Sequence, residues 1–414
     1  MRNVFFYFMI IFYTLSFLWN HFLSYLNRTR MNPVMPKELD GIYDCAEYAK
    51  QQTYQKESSR FDTISGGFSF VIGVLFLWYG GAGWLDEFLR AYTENNVLLP
   101  VVFFWLIFIC LWIINIPFEW YDTFVIEQKF GFNTTTYWTF VTDELKKIIL
   151  SIVLSGVIVA LLAVAYEYVE SFSWFWAWVA VSAFTLTISF FYSEWIVPLF
   201  NKQTPLEEGE LRTAIETYAE KASFSIRNIY VIDGSKRSTK ANAYFTGFGK
   251  KKRIVLYDTL INDLTTPEIV AVLAHEIGHY KMRHIIYKMA MSLSSTGFLL
   301  WALTLFLGNP AIAQALGGTT PSLHLTVIGF SLLYLPFSEI LSFASNYVSR
   351  KHEYSADNFT TDYEMGEALV SALKKISSKS LSNLTPHPFV VFWCHSHPTL
   401  LQRMCNIQNK SGVS

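Results

Sequence analysis

The sequence predicts a mostly α-helical, polytopic membrane protein, with about seven transmembrane helices and a smaller α/β region on the cytoplasmic side. Three observations carry this expectation. Hydrophobic residues fill 52% of the 414 positions and aromatic residues 17%, while charged residues supply only 16%, against about a quarter in soluble domains. A lipid-facing surface needs no charges and tolerates few. Apolar runs recur at roughly 20 residues, the length that crosses a hydrocarbon core of about 30 Å as a helix. Finally, Lys and Arg are distributed asymmetrically between alternate connecting segments.

The spans fall at Val4–Tyr25, Phe68–Leu85, Val97–Ile116, Ile148–Tyr166, Phe172–Tyr192, Ile285–Leu307 and Leu325–Phe343. The first is long and aromatic-rich, and Asn27, Arg28 and Arg30 follow it where a signal peptide would show small residues, so it is read as a retained helix. The second is short and ends among Gly80, Gly81 and Gly83; the sixth begins on a helix that also carries polar groups. Of 32 Lys and Arg residues, only Arg2 and Arg90 fall on one side of this alternation. By the positive-inside rule the amino terminus is outside, and the 200–285 region and carboxyl tail are cytoplasmic. Cys45, Cys394 and Cys405 then face the cytoplasm and Cys110 lies within a span, so no disulfide framework is expected. Five spans group into a membrane domain over residues 1–197; residues 198–414 form a second domain with two further spans and the tail. The net charge of −1 points to no nucleic-acid partner, and the expected state is a monomer in a lipid bilayer.

The main polar region begins near Pro198. Leu206–Ala222 has the spacing of an amphipathic helix. Ile229–Ile232 reads as a short strand, and Asn242–Thr246 and Ile254–Asp258 as a strand pair joined by a turn through Gly247–Gly249 and the following lysines. Ser377–Pro388 reads as a mobile loop. A helix starts at Thr266-Pro267-Glu268, with Thr266 as cap, Pro in the first turn and Glu at the positive end of the dipole. It runs on through Ala271–His279.

That helix carries the chemistry. His275 and His279 stand four apart, so both imidazoles project from one face and can share a metal ion. Glu276, offset by about 100°, can reach a water polarised by that ion and take its proton. A chance His-Glu-x-x-His arises on the order of once in a hundred chains of this length, so context decides. Here the helix is capped, its preceding turn is apolar, and a downstream donor is available. A catalytic zinc takes three protein ligands and keeps one position open. Glu353, on a helix just past the last span, is a candidate third ligand, with neighbouring His352 as its rival. Asp357, one turn later, is placed to accept a hydrogen bond from a ligand imidazole.

Several segments together resemble the type I CAAX prenyl endopeptidase family, seven-helix membrane zinc proteases of the zincin type. They are Tyr121–Asn133 (YDTFVIEQKFGFN), Asn242–Gly247 (NAYFTG), His275–His284 (HEIGHYKMRH), Arg350–Asp357 (RKHEYSAD) and His395–Arg403 (HSHPTLLQR). The match covers nearly the whole chain. The resemblance implies helices enclosing a large chamber, a zincin-like α/β metalloprotease domain, and one Zn²⁺ held by His275, His279 and Glu353. It implies that Glu276 and His397 are catalytic, that Asn242 and Arg403 contact substrate, and that Asp357 supports the ligands. From spacing alone Asn242 reads as a turn residue, Arg403 as a surface charge and His397, before Pro398, as a cap. As functional groups, Asn242 would bond substrate backbone, His397 would donate to the oxyanion, and Arg403 would pair with a substrate carboxylate or position His397. His284 is given a packing or supporting role, and His324 an interfacial one near the outer face.

The implied activity is removal of the last three residues of a prenylated protein, the partner being a peptide or lipidated protein. The alternative is a membrane quality-control metalloprotease of the HtpX type; those proteins share the zinc motif but lack this long amino-terminal half. A transporter or scaffold with a structural metal site has no use for a base at Glu276.

Overall fold

A computed structural model describes residues 2–32, 34–169, 173–226, 228–246 and 253–412. The membrane part is built from α1 (Val4–Arg28), α2 (Cys45–Trp78), α3 (Gly81–Arg90), α4 (Leu98–Tyr121), α5 (Tyr137–Tyr168) and α6 (Ser173–Phe191). Helix α4 continues through a π turn at Asp122–Glu127, and α6 through one at Tyr192–Ile196. Next come β1 (Gln203–Pro205), α7 (Glu210–Lys221), β2 (Asn228–Ile232), β3 (Ala243–Thr246), β4 (Arg253–Tyr257) and α8 (Thr266–Lys281). The chain ends in α9 (His284–Thr304), α10 (Pro310–Ala315), α11 (Leu323–Asp362), α12 (Gly366–Lys379), α13 (Pro388–Cys394) and α14 (Leu400–Ser411).

Among the described residues, six helices are long and apolar enough to cross a membrane: Val4–Arg28, Cys45–Trp78, Leu98–Phe130, Tyr137–Tyr168, Ser173–Phe200 and Leu323–Asp362. The remaining expected span forms α9, whose Leu293 carbonyl accepts from Trp178 Nε1 of α6 at 2.8 Å. The helices outrun the apolar segments that announce them. At 1.5 Å per residue, the 40 residues of α11 span about 60 Å, twice the hydrocarbon thickness. Its last turns, with Glu353 and Asp357, therefore stand clear of the apolar middle. Large apolar side chains such as Leu15, Leu18, Val71, Ile149 and Val153 are exposed along these helices, as lipid-facing positions are.

The second expected span is displaced. Its helix covers 45–78, and Gly80 and Gly83 belong to a turn and to α3. A Cβ on Gly83 would lie 2.1 Å from the Gly317 carbonyl carbon, so the two backbones meet only because position 83 is glycine. There the Gly83 amide donates to Leu316 O at 2.9 Å. The same end of the molecule corrects the reading of His324. It is fully buried, with Nε2 2.6 Å from Asp86 Oδ1 and its ring over Phe103; a buried carboxylate claims its polar edge, so it faces the protein interior.

The soluble part is a four-stranded sheet in the order β1-β2-β4-β3. Strand β2 is parallel to β4, and β1 and β3 pair antiparallel. Strand β1 had no signal in the sequence, being three residues long; the β3–β4 connection lies outside the described residues. Ile254, Leu256, Ile269, Leu273 and Ile277 form the core between sheet and helix with Ile215 and Phe224, which places α8 under the sheet. The segment read as mobile is tethered: Tyr43 Oη donates to the carbonyls of Ser377 and Ser382 at 3.1 Å. All four cysteines are free.

Helix α8 starts one residue earlier than its sequence suggests. Thr265 is the cap, in a reciprocal capping box with Glu268. Glu268 also accepts from Ser371 Oγ at 2.6 Å and Lys375 Nζ at 2.8 Å. Burial raises its pKa, but these bonds outweigh it and hold the carboxyl at about 2, below the ordinary 4.5. A depressed carboxylate stabilises the fold above its unfolded value and loses that contribution as pH falls from 4.5 toward 2. Glu268→Ala is therefore expected to cost about 1–3 kcal/mol at pH 7. Thermal melts should show the gap to the unsubstituted protein narrowing at pH 3; a gap that stays constant would exclude the carboxylate as its source.

Candidate metal centre and active site

His275 and His279 are presented by α8, and Glu353 by α11, which packs directly against it. Gly278 allows the approach, because a Cβ there would sit 3.1 Å from the Phe359 ring. The three side chains converge: ligand atoms of His275, His279 and Glu353 all lie within 4.8 Å of one another. The two Nε2 atoms are 3.1 Å apart, and the Glu353 oxygens lie 3.4 Å from His275 and 3.3 Å from His279. Two imidazole nitrogens facing each other and a buried carboxylate form a donor set that suits a divalent ion of the zinc type. His352 is not part of it. One residue before Glu353 on α11, it stacks its ring on His284 at 3.9 Å instead.

Both imidazoles are held from behind. His275 Nδ1 lies 3.0 Å from Asp357 Oδ1, and His279 Nδ1 lies 3.0 Å from His284 Nδ1. Burial, with His352 and His279 nearby, pushes the His284 pKa down to about 4, which keeps that imidazole neutral. Such partners fix ring orientation and leave Nε2 free to bind a metal. Asp357 is fully buried and accepts two bonds from Arg403, Nη2 at 2.6 Å and Nε at 3.0 Å. This fork commits Arg403 to Asp357. Of the two roles weighed for it, pairing with a substrate carboxylate is thereby disfavoured.

His397 lies between α13 and α14. It caps neither helix, since α14 is capped by Thr399 with Gln402. Its side chain is 61% exposed, and its Nε2 comes within 3.3 Å of Glu353 Oε1. Arg350, to which the sequence assigned no task, holds this loop by donating to the carbonyls of Val391 at 3.2 Å and Phe392 at 2.8 Å and also to that of His395. Glu276 is partly exposed on α8. Asn242 shares no hydrogen bond with the triad among the described residues. It immediately precedes β3, one of the two edge strands of the sheet, and its carbonyl accepts from the Tyr257 amide at 3.1 Å.

This arrangement accompanies extended similarity to known proteins. A model of peptidase family M48 matches residues 205–411, and a model of the CAAX prenyl protease amino-terminal region, with five membrane helices, matches 23–202. The CAAX prenyl protease 1 homolog of Oryza sativa subsp. japonica is 34% identical, the match covering 91% of each chain. The CAAX prenyl protease 1 of Saccharomyces cerevisiae is 32% identical over 94% of this chain and 92% of its own. The crystal structure of S. mikatae Ste24p superposes with a TM-score of 0.91 at 28% identity, covering 98% of this chain and 99% of that one. The chain belongs to peptidase family M48. It is a multi-pass membrane metallopeptidase, and the match of the five-helix region disfavours the shorter HtpX-type alternative.

Within this M48 chain, the Tyr121–Asn133 block has a task that its sequence did not announce. Glu127 in it accepts from Tyr54 Oη at 2.6 Å and Lys240 Nζ at 2.7 Å, tying α2, the π turn of α4 and the approach to β3 together. Only the motif itself hinted at this, because the partners lie 73 and 113 positions away.

Proposed function

We propose that this chain is a zinc endopeptidase that cuts prenylated CAAX-type proteins near their carboxyl terminus, on the cytoplasmic side of the membrane. The observation that carries the reading is the convergence of His275, His279 and Glu353, each imidazole oriented by its own partner. Two relatives support the substrate class by their names, CAAX prenyl protease 1.

When bound, Zn²⁺ supplies Lewis acidity that polarises the scissile carbonyl and acidifies water. The chain's own residues do the rest. Glu276 accepts a proton from the attacking water and passes it to the leaving amine. His397 donates Nε2–H toward the oxygen on which charge develops. Asn242, just before the edge strand β3, bonds the peptide backbone as the substrate adds alongside. Asp357 and Arg403 keep His275 aligned. The 1–197 and 198–414 regions act as membrane scaffold and catalytic domain of one monomer, with the amino terminus outside.

Purified protein is expected to contain about one zinc per chain and to release a tripeptide from a farnesylated CAAX peptide. Mass spectrometry of the product and elemental analysis check both. Zinc without cleavage of that peptide would remove the prenylated substrate, and absence of any metal would remove the mechanism.

A further inference from the structure

The loop that carries His397 is clamped from one face of α11. Five consecutive carbonyls, those of residues 391–395, close α13 and lead into the loop, and each accepts from a side chain of α11. Arg350 Nη1 donates to Val391 O at 3.2 Å and also to His395 O, and its Nη2 donates to Phe392 O at 2.8 Å. Asn346 Nδ2 donates to Trp393 O at 3.2 Å and to Cys394 O at 3.1 Å. The last carbonyls of a helix lack partners within it, and a guanidinium gives them charge-assisted bonds roughly twice as strong as neutral ones.

The far side of the loop is fixed as well. Thr399 and Gln402 form the capping box that starts α14, and Arg403, on its first turn, is bound to Asp357 of α11 by two bonds. Asn346, Arg350, Glu353 and Asp357 follow one another at intervals of four, three and four, so they form a stripe along one face of α11. The loop is therefore pinned at Arg350 on one side of Glu353 and at Asp357 on the other, positions about 10 Å apart along the helix. His397 lies between the two pins, and its Nε2 comes to 3.3 Å from Glu353 Oε1. Ser396 Oγ lies 3.0 Å from Nδ1 of the same ring. A hydroxyl donating there keeps the ring proton on Nε2, the atom turned toward Glu353.

We propose that Arg350 and Asn346 are positioning residues for the reaction: their clamp on residues 391–395 sets His397 Nε2 where it meets the oxygen on which charge develops. The inference rests on the reading of His397 as the oxyanion donor. A side chain as exposed as that of His397 is not held by packing, so the clamp on its backbone limits its movement. Misplacing a reacting group by about 1 Å costs on the order of 10²-fold in rate.

The test is a double-mutant cycle read on cleavage of a farnesylated CAAX peptide, with zinc content and a thermal melt for every preparation. His397→Ala alone should lower kcat by about 10²-fold or more. Arg350→Gln alone should lower kcat about tenfold or more, with KM within about twofold and zinc content unchanged. In the His397→Ala background, Arg350→Gln should lower kcat by less than about twofold further, because the group it positions is gone. Asn346→Ala removes two bonds and no charge, and it repeats the cycle in milder form should Arg350→Gln fold poorly. It should lower kcat about threefold alone and leave it unchanged in the His397→Ala background. A loss from either substitution that multiplies in full with that of His397→Ala, or that comes with loss of zinc, would overturn the proposal and leave the His397 reading standing. Unchanged kcat in His397→Ala itself would remove that reading and this inference with it.

Discussion

Glu276→Gln is expected to lower kcat by about 10²- to 10⁴-fold while leaving zinc content at the unsubstituted level. Glutamine keeps the shape of the side chain and its place on α8 but cannot accept a proton. Glu276 is not within the converging group of His275, His279 and Glu353, so the metal has no reason to leave. Steady-state cleavage of the farnesylated peptide, with elemental analysis of the same preparation, reads both quantities. A variant that keeps more than about a tenth of its kcat would show that another group accepts the proton; a variant that loses metal would make Glu276 a ligand.

The second large effect is expected at Glu353. Glu353→Ala removes one of three donors from a site whose carboxylate is 2% exposed, and two imidazoles alone hold a catalytic zinc poorly. Metal content should fall from about one per chain to near zero, and cleavage below detection. Loss of fold is a separate matter. Asp357 and Arg403 keep their two bonds without Glu353, so thermal melts should show the protein still folding cooperatively. The informative contrary result is a variant that keeps its zinc. His397 Nε2 lies 3.3 Å from Glu353 Oε1, within reach of the same position. Retained metal would make His397 a ligand and require a new source for the oxyanion donor.

What could be read in the chain follows from how local each signal is. The His275–Glu276–His279 spacing acts within two turns of one helix, and its consequence, two imidazoles on one face, needs only helix geometry. The apolar spans are local as well, because the bilayer selects side chains residue by residue. Their true ends were not legible. Water-exposed turns of α2 and α11 carry polar residues that hydropathy treats as loop, although the hydrogen-bond ladder runs on through them. Helix starts blur for a similar reason: Thr266 reads as the cap on paper, and only the reciprocal bond between Thr265 and Glu268 moves it back one residue.

By itself the sequence determined a membrane-spanning protein of this family and its His-Glu-x-x-His motif. Composition, apolar length and i, i+4 spacing are properties of neighbouring residues. The tertiary structure decided the choices that depend on distant ones. Glu353 and not its neighbour His352 faces the histidines, because α11 packs on α8 through Gly278 and turns that one face inward. Arg403 is bound to Asp357 from 46 positions away. Arg237 meets Asp143 across 94 positions, and His324 meets Asp86 across 238. Each of these pairs is worth little until the chain has already closed between them, so no window of sequence contains the reason for it.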